Sequence, residues 1–212
     1  MHVGVPAAGT NLIQPASTAI VTMLLAPHGA TVVAGFGVGS RIEAVVAMVA
    51  IGISTSVVPL VGQNWGARQF DRVRVTMRIC YAACLVWGII AAVLMWLGAE
   101  TFVRWINDDP ELVGTATLFL SIVPISIGFM GMLNVANHAF NAIRQPFPAL
   151  LLSLARLFAV YVPIALLGDY LFGFVGIFGA IPLSNVVMGI VAWRWNTLTL
   201  ARAETRITAE IQ

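Results

Sequence analysis

The sequence predicts an all-α membrane protein, a polytopic bundle of six transmembrane helices. Charged residues make up 9% of the 212 residues and hydrophobic residues 59%, and the mean hydropathy is +0.93. A soluble domain carries roughly a quarter charged residues, so this composition excludes that class. Several apolar runs are also long enough to cross a hydrocarbon core about 30 Å thick. Because these runs lack the alternation of barrel strands, helices are the predicted way to satisfy the backbone in lipid.

Six runs meet this criterion, and together they define one membrane lobe over residues 1–200. The predicted spans cover residues 3–25, 32–61, 79–97, 112–140, 147–167 and 172–193, and a cytoplasmic tail follows at 201–212. The first span begins directly at the amino terminus without a basic flank or a signal-peptide pattern. We therefore expect the chain to be a fragment of a longer protein, although a short protein that functions by itself is the alternative.

The arginines predict how the bundle is oriented. The chain has eleven basic residues, all arginine, and four of them, Arg68, Arg72, Arg74 and Arg78, lie in "VGQNWGARQFDRVRVTMR" between spans two and three. Arginine excess marks the cytoplasmic side of a membrane protein, so this connection and both termini are predicted to face the cytoplasm. We expect the four arginines to lie on a short surface helix that rests on anionic lipid and anchors the orientation. The predicted location is the cell membrane.

Several motifs occur in an order that resembles a known transporter family. They are "GVPAAGTNLIQPAS" (4–17), "GVGSRIEA" (37–44), "PLVGQNWGARQFDRVR" (59–74), "NDDPE" (107–111) and "LLLSLARLFAVYVPIALL" (150–167). Their order and spacing resemble the second half of multidrug and toxic compound extrusion (MATE) transporters. The most specific part of the resemblance is "PLVGQNWGA".

The resemblance implies a function and a missing partner. Members of the family have two six-helix lobes and exchange H⁺ or Na⁺ for amphiphilic, often cationic compounds. This chain would be the second lobe, so its expected partners are a first six-helix lobe, membrane lipid and small amphiphilic cations. Beyond the coupling ion, H⁺ or Na⁺, the resemblance implies no cofactor. The alternatives are a lipid-linked oligosaccharide flippase of the same superfamily and a fragment that does not transport.

One branch of the family carries two membrane-embedded carboxylates that this sequence lacks. Counting from the motifs places Gln14 and Met130 at the positions of that glutamate and aspartate. A neutral amide cannot exchange a proton. We therefore expect proton coupling, if present, to depend on an acid in the missing lobe.

Arg41 and Glu43 are the first candidate cavity residues, because both charges lie within the apolar surroundings of span two. Placing an ionised group there costs roughly several kcal/mol of free energy unless the group is paired or hydrated. The two residues point about 200° apart on a helix, so each needs a partner elsewhere. One interpretation makes Glu43 a lining for a cationic substrate, with Arg41 organising the outer half of the cavity. The other is that both snorkel to the interface.

Two polar stripes supply the remaining candidates. Span one carries Asn11 and Gln14 on one face, directly before Pro15, which removes a backbone donor. Span four carries Asn134, Asn137 and His138 on one face. Each stripe is predicted either to line the substrate path or to form hydrogen bonds between helices.

The remaining features favour no other class of protein. The scattered arginines do not build a phosphate-binding face, so nucleic acid is not an expected partner. Cys80 and Cys84 lie one turn apart in an apolar run, and we interpret them as packing residues rather than metal ligands. No nucleophile, base and acid occur in a recognisable catalytic arrangement, so an enzyme is not predicted.

Overall fold

The protein is an all-α bundle, seen in a computed structural model that describes the backbone of residues 4–209 and the side chains of residues 13–205. Its helices are α1 (Gly4–Leu25), α2 (Ala30–Gly66), α3 (Phe70–Arg104), α4 (Pro110–Ile122), α5 (Ile127–Ala142), α6 (Pro146–Leu154), α7 (Val162–Phe172) and α8 (Phe174–Ala209). Within the described residues, five helical stretches are long and apolar enough to cross a membrane, and they begin at Ala30, Phe70, Pro110, Pro146 and Phe174. With α1 they form one six-span lobe.

Two of these spans contain a local change of helix type. A 3₁₀ turn, Val123–Ser126, separates α4 from α5, and a π-helical segment, Ala155–Tyr161, separates α6 from α7. Proline lies at each place: Pro124 in the 3₁₀ turn and Pro163 just after the π segment. Because proline cannot donate its backbone hydrogen bond, regular α-helical bonding is interrupted there.

The acidic motif at 107–111 starts α4. The side chain of Asp109 caps this helix by accepting hydrogen bonds from the backbone N–H groups of Glu111 and Leu112, at 2.9 and 3.3 Å. Pro110 occupies the first turn, where its missing N–H costs nothing. The motif is therefore a helix-start signal at the end of the bundle opposite the arginine-rich connection.

The connection between α2 and α3 is shorter than the sequence suggested. α2 continues to Gly66 and α3 begins at Phe70, so the prediction of a separate short surface helix that carries the four arginines is wrong. Arg68 lies in the turn with a left-handed φ of 57°, and the N–H of Gln69 closes the end of α2 by donating to the carbonyl of Asn64 at 2.8 Å. The other three arginines lie on the first turns of α3, because helix formation continues past the apolar segment.

Close packing between helices depends on glycine at a few points. The backbones of Gly88 on α3 and Gly128 on α5 approach so closely that a Cβ on Gly88 would overlap the Gly128 backbone. Gly35 and Gly39 on α2 likewise leave room for Thr115 and Phe119 of α4. Small residues at helix contacts are typical of membrane bundles, and these contacts hold α2, α3 and α4–α5 around a shared core.

Candidate functional site

A cavity of about 370 Å³ lies between α1, α2, α4, α5, the π-helical segment and α8; we call it the central cavity. Its walls combine apolar side chains, such as Phe36, Phe119 and Ile181, with polar ones. The polar lining residues are Gln14, Ser17, Thr18, Ser40, Arg41, Glu43, Arg156, Tyr161, Ser184 and Asn185. A mixed lining of this kind is typical of a small-molecule site, and the volume falls within the range of roughly 300–1,000 Å³ for such pockets.

Three charged side chains of the described residues line the central cavity. Arg41 and Glu43 come from α2 and Arg156 from the π-helical segment. The carboxylate of Glu43 and the guanidinium of Arg156 attract each other electrostatically, although they form no ion pair within 4.0 Å among the described side chains. Each of the two α2 charges was predicted to need a stabilising group from elsewhere. For Glu43, that group is Arg156.

A hydrogen-bond chain holds Arg156 in place. Its Nη1 donates to Oδ1 of Asn185 on α8 at 2.9 Å, and Nδ2 of Asn185 donates to Oγ of Ser126 at 3.0 Å. Ser126 then donates to the backbone carbonyl of Val123 at 2.9 Å. The chain therefore links the π-helical segment, α8 and the 3₁₀ turn. Both irregular segments contribute to the site, and π-helical turns are frequent at functional sites.

The structure places the predicted site residues unequally. Gln14, Arg41 and Glu43 line the central cavity. Asn11 lies in α1, outside the residues whose side chains are described. Met130, which counting from the motifs assigned to the second carboxylate position of one family branch, also lines the cavity. The two assigned positions therefore share one space.

The polar stripe of span four lies elsewhere. Nδ2 of Asn137 donates to Oγ of Ser153 on α6 at 3.1 Å. This contact agrees with the second interpretation of the stripe, in which it forms hydrogen bonds between helices. Asn134 and His138 are half-buried on the same helix, and none of the three residues lines the central cavity. A role of this stripe on a substrate path stays a prediction.

Sequence reasoning missed several lining residues, among them Ser17, Tyr161 and Ser184. Tyr161 is the most informative, because its buried hydroxyl has no hydrogen-bond partner among the described residues. Ser17 lies three residues after Gln14, so extending that polar face by one turn would have found it. Tyr161 and Ser184 lie in apolar runs that give no such signal.

The predicted anchor residues lie together at one end of the bundle, the arginine-rich end. Arg74 joins α3 to α8, because its Nη1 contacts Glu204 Oε2 of α8 at 3.1 Å. Its Nη2 also contacts Asp71 Oδ1 within α3, at 2.6 Å. Arg68, Arg72 and Arg78 are exposed. Their role as a cytoplasmic anchor stays a prediction.

A helical bundle with long apolar spans and a charged, partly apolar internal cavity defines a polytopic membrane protein of the transporter class. The chain belongs to the MatE family, whose model matches residues 6–167. It shares 30% identity over 192 residues with the FAD transporter of Shewanella oneidensis, an alignment that covers 91% of this chain and 42% of that protein. It shares 29% identity over 152 residues with the probable multidrug resistance protein NorM of Aromatoleum aromaticum, covering 72% of this chain and 33% of that one.

A solved structure agrees with this assignment. The chain superposes on the Vibrio cholerae MATE transporter VcmN in its bent form with a TM-score of 0.90 and 30% identity, covering 96% of this chain and 46% of that one. This chain therefore spans less than half the length of these relatives, and its fold is that of one lobe of a MATE transporter.

Proposed function

We propose that this chain is the second lobe of a secondary antiporter in the cell membrane, and that the complete transporter exports amphiphilic cations in exchange for H⁺ or Na⁺. The observation that carries the proposal is the central cavity, in which a carboxylate lies among aromatic and aliphatic walls. Glu43 supplies the negative charge, and side chains such as Phe36, Phe119 and Ile51 supply the apolar surface. An amphiphilic cation needs both.

Arg156 explains how such a site could release its substrate. The guanidinium already attracts Glu43, so a bound cation competes with Arg156 for the same carboxylate. Competition of this kind weakens binding, and a transporter requires binding weak enough to reverse. The Asn185 hydrogen bond keeps Arg156 positioned while the carboxylate is occupied by a substrate.

We further propose that the coupling ion is H⁺ and that its exchange depends on the missing first lobe. Gln14 and Met130 line the central cavity at the two positions where one branch of the family carries acids. Neither side chain can exchange a proton. Transport by the twelve-span protein should persist without sodium and stop when the proton gradient is collapsed, whereas strict sodium dependence would contradict the proposal.

Efflux of a cationic dye tests the role of Glu43. In the twelve-span protein, Glu43→Gln should reduce dye efflux about tenfold or more, because the amide keeps the shape but removes the charge. Glu100→Gln is the matched control: Glu100 is exposed at the opposite end of α3 from the arginine-rich connection, where it pairs with Arg104 at 2.8 Å. Equal efflux by Glu43→Gln and Glu100→Gln would remove Glu43 from the mechanism.

A second candidate substrate is an anionic aromatic compound such as FAD. The relative in Shewanella oneidensis carries that name, and the central cavity holds two arginines, Arg41 and Arg156, against one glutamate. For this substrate Arg41→Gln should reduce transport and Glu43→Gln should not. The two variants therefore distinguish a cation from an anion, and uptake of a lipid-linked pyrophosphate would instead favour the flippase.

The proposed orientation has both termini in the cytoplasm. A single cysteine at position 68, in a chain whose Cys80 and Cys84 are replaced by alanine, should react with a membrane-impermeant maleimide only after cells are opened. Labelling of intact cells would reverse the orientation.

A further inference from the structure

A groove between α3 and α8 at the arginine-rich end is separate from the central cavity. It encloses about 330 Å³, and we call it the α3–α8 groove. Both helices pack on α5 and touch each other little, which leaves a gap between them. Two polar contacts cross the gap: Arg74 to Glu204 at 3.1 Å, and the Tyr81 hydroxyl, which donates to Oδ1 of Asn196 at 3.2 Å.

The wall of the groove is apolar and aromatic. Met77 of α3 and Leu200 of α8 line it together with Trp65 and Trp193. Tryptophan is enriched at the level of the lipid headgroups, and the apolar segment of α3 begins just beyond Arg78, at Ile79. The groove therefore lies at the membrane–water interface, where one end of an occupant is polar and the other is in hydrocarbon.

Two arginines line the rim of the groove, together with Glu204. Arg74 and Arg78 line it one turn apart on α3. Arg74 is shared between Asp71 and Glu204, whereas Arg78 has no ion pair with any side chain of residues 13–205. A guanidinium binds phosphate oxygens through two parallel hydrogen bonds, so Arg78 offers a site for one phosphate group.

The inner part of the groove contains an unsatisfied donor. The side chain of Asn196 is fully buried, and its Nδ2 has no hydrogen-bond acceptor in the part of the chain that the structure describes. A buried amide without an acceptor costs about 1–3 kcal/mol. An ester oxygen of a bound lipid, reached after a small side-chain shift, would supply that acceptor.

We propose that the α3–α8 groove binds one anionic phospholipid, with its phosphate at Arg78 and Arg74 and an acyl chain along the apolar wall. The lipid fills the gap between two helices that have little direct contact, and it thereby fixes their separation at this end of the bundle. The inference does not depend on which substrate the transporter carries.

Lipid titration of the purified 212-residue chain, followed by native mass spectrometry, tests the proposal. Phosphatidylglycerol should bind at least about tenfold more tightly than phosphatidylcholine of the same acyl chains. Arg78→Gln should lower the phosphatidylglycerol affinity roughly fivefold, since one arginine near an anionic headgroup contributes about that factor. Arg72→Gln is the matched control, because Arg72 is an exposed arginine on the same helix that does not line the groove.

A second measurement needs no charge variant. Phosphatidylglycerol with brominated acyl chains should quench Trp193 more strongly than brominated phosphatidylcholine does, with the Trp193 signal taken as the difference between the native chain and Trp193→Phe. Equal affinity for the two lipids, equal effects of Arg78→Gln and Arg72→Gln, or equal quenching would overturn the proposal. So would a dimer of the chain whose formation displaces the lipid, because a second copy would then occupy the groove.

Discussion

The central cavity and the α3–α8 groove both contain arginine, but the two regions neutralise it by different means. In the cavity, Arg156 is held by Asn185 of α8 and attracted by Glu43 of α2. At the groove, Arg78 is exposed and has no ion pair among the described side chains; under the lipid proposal, a phosphate group neutralises it. A charge inside a bundle must be stabilised by groups on other helices, whereas a charge at the interface can be stabilised by water and lipid headgroups.

The largest effect that would test this comparison is expected from Arg156. Replacing it with leucine removes the opposite charge from Glu43 and the hydrogen bond from Asn185. Asn185 Oδ1 and the Glu43 carboxylate then lose the group that stabilised them inside the bundle, and leaving such groups unsatisfied costs about 3 kcal/mol, more when one of them is charged. Thermal unfolding of the purified chain in detergent, followed by circular dichroism, should show a large loss of stability.

Arg104→Leu is the control for that experiment. Arg104 forms an exposed pair with Glu100 one turn away, at 2.8 Å, and such a pair contributes about 0.3 kcal/mol. The double variant Glu43→Gln, Arg156→Leu should recover part of the lost stability. Equal losses for Arg156→Leu and Arg104→Leu would show that the cavity arginine is stabilised by water rather than by Asn185 and Glu43.

A smaller effect is expected at Gly88, where α3 packs closely on α5. Valine at this position would overlap the backbone of Gly128, so the helices must separate, at a cost of about 2 kcal/mol. Gly52→Val is the control, since no atom lies within 4 Å of its added Cβ. Unfolding temperatures measured under identical conditions check this, and an equal decrease for both variants would mean that the helix contact is not tight.

A stabilising effect is expected at the arginine-rich end. Arg68 has a left-handed φ of 57°, which costs a residue other than glycine about 1 kcal/mol. Arg68→Gly should therefore raise the stability by about that amount while removing one charge from the anchor. The matched substitution Arg72→Gly, inside α3, should instead lower the stability by about 1 kcal/mol. Thermal unfolding of both variants shows whether each substitution raises or lowers the stability. A lower stability of Arg68→Gly would show that the charge of Arg68 contributes more than the backbone strain of the turn costs.

The smallest effect concerns the polar stripe of α5. A double-mutant cycle with Asn137→Ala and Ser153→Ala should give a coupling energy of about 0.6 kcal/mol, the average for hydrogen bonds between membrane helices. The measurement is the unfolding free energy of the two single variants and the double variant. A coupling near zero, combined with loss of dye efflux by Asn137→Ala in the twelve-span protein, would move this residue to the substrate path.

Part of the site could be predicted because a charged or polar side chain in an apolar run is costly unless it faces a cavity or a partner. Glu43 and Arg41 were recognised for this reason, and Gln14 for its position one residue before Pro15. Both α2 residues line the central cavity although they point to different sides of the helix. The partner of Glu43 could not be predicted, since Arg156 lies more than a hundred residues away and only the packing of two spans brings them near.

The stripe on α5 shows the corresponding limit. The spacing of Asn134, Asn137 and His138 predicts a polar face turned away from lipid, but a helix in a bundle has several neighbours. The structure places Asn137 against Ser153 of α6, not in the cavity. Periodicity identifies a face of a helix and cannot identify the helix that it meets.

The sequence by itself determined that the chain crosses a membrane, that most of its arginines lie in the connections on one side, and which charges are costly. These properties follow from local composition, since the hydrophobic effect and the cost of burying charge act on each span separately. Only the tertiary structure decided which spans enclose the central cavity, which residue faces Glu43, and that α3 and α8 leave a groove between them. Those features depend on the angles and contacts between helices. Close glycine contacts and the two irregular segments set these angles, and the sequence of a single span does not contain them.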